Sequence, residues 1–186
     1  MRKDFGVKPW LCPMPVLMVA AYDDAGVANA MPAAWGGMHT DDMVGVCLDI
    51  HHKTTKNILA RKAFTVSMAS VGQIAACDYL GIVSGAKVAD KVEKAGLHVR
   101  KANFVDAPVI EELPLTVECE LVSYDEETCY MVGRIVNVSA DESVLGEDGA
   151  VDVARLQPVV FEPYRRGYFA LGEKIGAGYA SGKTLM

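Results

Sequence analysis

From Leu115 to Tyr124 the chain alternates so strictly that few folds can hold it. Leu115, Val117, Cys119 and Leu121 are separated by Thr116, Glu118 and Glu120, and the pattern runs on to Tyr124. Asp125-Glu126-Glu127 supplies a turn, and Cys129 to Val138 returns as a strand. A period of two over this length specifies an antiparallel hairpin with one face buried. It places Val117, Cys119 and Leu121 in a core and Glu118 and Glu120 in water. The rest of the chain must supply a sheet for this hairpin to join.

It contains the pieces. Met14 to Tyr22 is apolar, Asp23-Asp24-Ala25-Gly26 is turn-forming, and Val27 onward is extended again, which reads as a second hairpin. Met43 to Ile50 reads as a third strand buried on both faces, with Asp49 in need of a partner. Ala63 to Ser70, Val151 to Leu156 and Val159 to Phe161 add further extended segments. Thr54 or Thr55 is a natural N-cap for a short helix over 57–62. Apolar spacing predicts a helix over 73–80, and another short helical turn over 89–94 is stopped by Gly96. Asn103 to Glu112 reads as an irregular connection. About seven strands, three short helices and no β-α-β alternation predict a mainly β fold, an antiparallel barrel with short helical insertions, as a single domain over 1–186.

Bulk properties narrow the function. The net charge is −6 with no basic block, which argues against nucleic acid and against an anionic membrane surface. The apolar stretch after Arg2 and Lys3 is interrupted by Pro13 and Pro15, so it reads as a first strand rather than a secretion signal. No run is long enough to span a bilayer, and a cytoplasmic location is expected. Five cysteines, an odd number without a C-x-x-C pair, are expected to be reduced thiols.

Candidate chemistry concentrates between Asn29 and Asn57. Asn29 offers an amide, Ala33 and Ala34 allow close backbone approach, and Trp35 is a large aromatic. Lys53-Thr54-Thr55 then opens a helix, where unpaired N–H groups and a full positive charge favour an anion. Such a set suits a flat, anionic ligand. Each residue also has a plain structural reading: Thr as cap, Lys53 solvated, Asn29 in a turn, Trp35 in the core, and Asp90-Lys91 as a surface pair. The stretch Ala177 to Thr184 fits a relaxed phosphate-loop pattern, but no helix is expected after it. His51 and His52 face opposite ways on an extended chain, and Cys47 brings no third ligand at metal spacing, so no metal site is expected.

Several motifs follow one another in order: Asn29 to Trp35; Lys53-Thr54-x-x-Asn57-Ile58; Ser84-Gly85-x-x-x-x-Asp90-Lys91; Ala107-Pro108-x-Ile110-x-Glu112; Glu118-Cys119; and Leu156-x-Pro158 through Tyr164 to Gly167-Tyr168-x-x-Leu171-Gly172. Together they resemble the flavin reductase-like, FMN-binding split-barrel family, and within it the flavoredoxin branch. The resemblance implies a split β-barrel homodimer with FMN at the subunit interface. It implies that Asn29, Met31, Ala33, Ala34 and Trp35 run along the flavin through backbone contacts. Lys53, Thr54 and Asn57 would then contribute to the ribityl-phosphate site, and Ser84 and Lys91 to further phosphate or ring contacts. The implied activity is electron transfer from NAD(P)H through bound flavin to free flavin, iron or a protein. The alternative is a flavoredoxin-type electron carrier that relies on protein partners and does not oxidise nicotinamide itself. Gly36 to Asp42 departs from the Ser- and Pro-bearing loop of relatives, which puts partner choice in that loop. No Rossmann fingerprint accompanies these motifs.

Overall fold

The computed structural model describes residues 1–186. In chain order the first half carries strands β1 (Met14–Pro15), β2 (Leu17–Tyr22), β3 (Ala28–Ala33), β4 (Gly36–Thr40) and β5 (Met43–Cys47), helix α1 (Lys53–Arg61), strand β6 (Ala63–Met68), and helices α2 (Ile74–Ile82) and α3 (Lys91–Lys94). The second half carries β7 (Val99–Lys101), β8 (Pro108–Ile110), β9 (Leu115–Asp125), β10 (Tyr130–Ala140), α4 (Val153–Leu156), β11 (Val159–Glu162) and β12 (Gly167–Ala170).

Seven strands form one antiparallel sheet in the order β3-β2-β6-β9-β10-β5-β4. Its two edge strands, β3 and β4, are consecutive in the chain and joined only by Ala34 and Trp35. A link that short pulls the edges of a seven-stranded sheet together, so the sheet curls into a barrel. The barrel stays split, because β3 and β4 are not paired with each other. Gly36 sits at the corner. A Cβ there would come 2.8 Å from the Gly45 carbonyl oxygen and 3.0 Å from side-chain carbons of Leu17 and Val46, so the close approach requires glycine.

Two cores share β2. Leu17, Val19 and Ala21 point into the barrel with Val44, Val46, Leu48, Phe64, Val66, Cys119 and Met131, and Ile58 brings α1 into the same cluster. Val16, Met18 and Ala20 point outward and pack with Cys77, Leu80, Val92, Leu97 and Ile110. Burial on both faces is why this stretch is continuously apolar rather than alternating. The outward layer adds a small hairpin of β7 and β8, and β1, β11 and β12 form a separate three-stranded sheet.

The main hairpin forms as its pattern predicts, β9 against β10, but Glu118 corrects the expectation that it faces water. It is fully buried and accepts hydrogen bonds from the Phe104 backbone N–H at 2.8 Å and the Asn137 side chain at 2.9 Å. The segment around Phe104 covers that end of the sheet, and alternation reports which residues share a face but not whether a second layer lies on it. The helix start differs too. α1 begins at Lys53 after His52, which makes no side-chain cap, and Thr54 and Thr55 lie buried within the helix. β5 ends at Cys47, and exposed Asp49 accepts from the His51 N–H at 2.7 Å. Residues 36–40 form strand β4 rather than a loop. Asn103 to Glu112 includes β8, while 153–156 is helical. No helix is long and apolar enough to cross a membrane.

Candidate functional site

β3 is an edge strand, so one side of its backbone lacks a strand partner. At its start Asn29 is buried, and its side-chain N–H donates to Thr54 Oγ1 of α1 over 2.5 Å. The amide oxygen of Asn29 has no partner, nor has the hydroxyl of Thr55. Buried polar atoms left unpaired are uncommon and costly. A Cβ at Gly85 would overlap the Asn29 amide, so glycine lets the 83–90 segment close on this point. Three distant stretches therefore meet: the start of β3, the first turn of α1, and Ser84-Gly85.

The uncapped start of α1 faces no acidic side chain in its own first turn. Its leading N–H groups are the anion-receptive groups of any helix start, and here a full nine-residue helix carries them. Lys53 is not a freely solvated charge. Its ammonium pairs with Asp23 Oδ2 at 3.1 Å and donates to Asn57 Oδ1 at 2.9 Å. Arg61 donates twice to the Asp23 backbone carbonyl. Burial alone would raise the Asp23 carboxyl, but the Val27 N–H and the Lys53 ammonium outweigh it and hold it below the ordinary carboxylate value. Asp23 thus tethers Lys53 beside the helix start.

Lys91 is buried, contrary to the surface-pair reading. It donates to the carbonyls of Leu80 at 2.7 Å and Val83 at 2.9 Å, the last turn and exit of α2. Burial pushes its pKa down to about 8. The ammonium caps the negative end of α2 and braces the segment that brings Gly85 to Asn29. Ser84 is exposed, and its hydroxyl accepts from the Ala86 N–H.

The far end of β3 is different in kind. Ala33 is buried, Met31 and Ala34 are half-buried, and Trp35 is 56% exposed, so it does not fill the core. A cleft of about 540 Å³ lies beside it, walled by Trp10, Leu11, Pro13 and Met14. A smaller hollow next to Ala33 and Ala34 is lined by Val16, Pro32, Phe161 and Tyr168. The Tyr168 hydroxyl donates to Asp78 at 2.7 Å, and burial followed by Asp78 pushes its pKa up to about 12. From Asn29 to Ala33 the strand spans four steps, roughly 13 Å, and Ala34 carries it on to Trp35. An elongated ligand with an anionic end and a planar end matches that length and that polarity.

Asn29, Thr54 and Gly85 come together, Lys53 and Asn57 adjoin them, and Trp35 stands apart at the other end. Sequence reasoning missed Asp23, Thr55 and Gly85. Gly85 lies in the Ser84-Gly85 motif, and in sequence Asp23 reads only as a turn residue.

A family profile described as the flavin reductase like domain matches residues 11–171. The chain belongs to the flavin reductase-like family. The flavoredoxin of Desulfovibrio vulgaris (Miyazaki F) is 35% identical over 98% of this chain and 100% of that one, with a TM-score of 0.93. A flavoredoxin from Methanosarcina acetivorans is 28% identical over the full length of both chains, with a TM-score of 0.90. An FMN-binding domain of a flavin reductases-like enzyme from Shewanella baltica OS155 is 22% identical over 88% of each chain and shares the fold at a TM-score of 0.77. These likenesses place the chain in the flavoredoxin branch and its fold among the split barrels.

Proposed function

We propose that this chain is an FMN-binding oxidoreductase that moves electrons from NAD(P)H to free flavin, iron or a protein acceptor. The observation that carries the reading is the unpartnered buried amide oxygen of Asn29, set between the uncapped start of α1 and Gly85. A flavin supplies hydride acceptance and electron release, and the protein supplies position and access. The residues present fit that group. The first amides of α1, with Lys53 and Thr54 beside them, hold the phosphate. In β3 the backbone groups of Asn29, Met31 and Ala33 face β2, so the free edge offers those of Ala30, the Pro32 carbonyl and Ala34 along the ligand, with Asn29, Met31 and Ala33 alternating beside them. Trp35 borders the ring and keeps water from one side. Ser84 and Lys91 act at the phosphate end, Lys91 by bracing the 83–90 segment. No side chain is assigned as acid or base.

The proposed unit is a single domain over 1–186, cytoplasmic, working as a homodimer with the flavin near the interface. Likeness to two flavoredoxins favours a second reading, an electron carrier that exchanges electrons only with protein partners. One experiment orders these possibilities. The protein is loaded with FMN, its visible flavin band is recorded, and NADH or NADPH is added without oxygen. Bleaching is expected. A protein that cannot be loaded with FMN ends the flavin reading, and a loaded protein that bleaches only with a low-potential protein donor is a carrier.

A further inference from the structure

We infer that residues 171–186 form an exchanged arm that packs on a second copy of this chain, seated in the apolar groove at the root of that copy's own arm. The inference rests on the homodimer reading and specifies what holds the pair together. All residues from 171 to 186 are exposed. Ile175 and Tyr179 are 102% and 105% exposed, and Leu185 and Met186 are similarly bare. Yet the segment has internal order: the Ala177 N–H donates to Ser181 Oγ, and the Ser181 and Lys183 N–H groups donate to the carbonyls of Ala177 and Ala180. A shaped segment presenting large apolar side chains to water gains nothing from its own body to offset its ordering.

The surface area says how much is missing. The chain exposes 11433 Å² at a mass of 20.0 kDa. Compact monomers of that mass expose about 8,700 Å², so the excess is about 2,700 Å² per copy. Permanent homodimers remove roughly 2,000–5,000 Å² from water in total. Two copies together carry about 5,400 Å² of excess, shared by this arm and the equally exposed residues 1–13, which is at the upper end of what such a dimer covers.

The seat is a groove of about 930 Å³ lined by Val71, Val151, Val153 and Ala154 beside Leu171. Because it adjoins the point where the arm leaves the body, a two-fold axis nearby delivers each arm to the other copy's groove, the closed, self-complementary arrangement that symmetric dimers use.

Sedimentation of the FMN-loaded full chain, of a chain shortened by deletion of 173–186, and of the full-length Ile175→Ser/Tyr179→Ser variant tests this. The full chain is expected to be dimeric. Both variants are expected to keep their circular dichroism and to dimerise at least roughly ten-thousandfold more weakly, the scale set by losing two large buried apolar side chains from each of two copies. A photocrosslinker in place of Tyr179, in a mixture of isotopically light and heavy chains, is expected to mark the other chain's Val151–Ala154 peptide. A monomeric full chain overturns the dimer reading and the arm with it. A dimer unaffected by both variants, or crosslinks confined to the arm's own chain, overturns the arm alone.

Discussion

The two ends of β3 differ as a lock differs from a doorway. At Asn29 everything is buried and polar: Thr54, Thr55, Asn57 and Lys91 are all inside, and Gly85 is packed against the amide. At Trp35 the surroundings are apolar and open, with indole, proline and leucine side chains around a cleft. A buried polar end is preorganised, because packing and bonds such as Asn29 to Thr54 fix its groups while the Asn29 amide oxygen and the Thr55 hydroxyl stay unpaired. An open apolar end imposes little on what enters. On the proposed function, affinity for the flavin and choice of redox partner can be set separately along one strand.

The largest test of that contrast uses pH. Below about pH 8 Lys91 is charged in both folded and unfolded chains, so it contributes no pH dependence. Above it the folded chain sheds a proton that the unfolded chain keeps up to its ordinary value of 10.5, so stability rises with pH across that window. The rise is up to roughly 3 kcal/mol, less what the two carbonyl bonds return by favouring the charged form. Urea unfolding at a series of pH values measures it, and in Lys91→Met the rise is expected to vanish. A slope unchanged in that variant would mean that the bracing lysine does not govern the buried end.

Next comes Gly85→Val. The new side chain must displace the Asn29 amide, with an expected loss of about 1–3 kcal/mol in folding stability and weaker FMN binding. Thermal unfolding and a fluorescence titration with FMN follow the two effects. Wild-type values for both would show that the 83–90 segment yields freely, and that the buried end is not preorganised.

Lys53→Ala is expected to weaken FMN by about 1–3 kcal/mol, the usual range for losing a charge-assisted bond. It also removes Asp23's partner. The Asp23 carboxyl is lowered in the folded chain, so the pair's contribution is present above the unfolded value of 3.8 and is lost as pH falls through the lower folded value. Acid unfolding of Lys53→Ala should therefore lose that part of its pH dependence. Unchanged FMN affinity with altered acid stability would assign Lys53 to holding the turn and leave the phosphate to the helix amides.

The smallest effect on stability belongs to Trp35→Ala, within about 0.5 kcal/mol because the ring is already in solvent. Its effect should instead fall on the rate of electron exchange with different acceptors. If unfolding shifts strongly while acceptor preference does not, the open end is structural and the contrast fails.

The hairpins at 17–33 and 115–138, three of the helices and the mainly antiparallel β class were legible in sequence, because period and turn chemistry act over a few residues and no distant partner is needed to read them. The motif order pointed to the family for the same reason. What tertiary structure alone decided was which polar residues are buried and what they face. Glu118 follows a water-facing pattern yet lies under the Phe104 segment. Lys91 looks like a surface partner of Asp90 yet caps α2. The stretch after Trp35 reads as a loop yet becomes the edge strand β4, since it pairs with β5 as the two-residue link from β3 curls the sheet into the split barrel. Local pattern sets each element's faces, and the covering layer comes from residues far along the chain, where no local period records it.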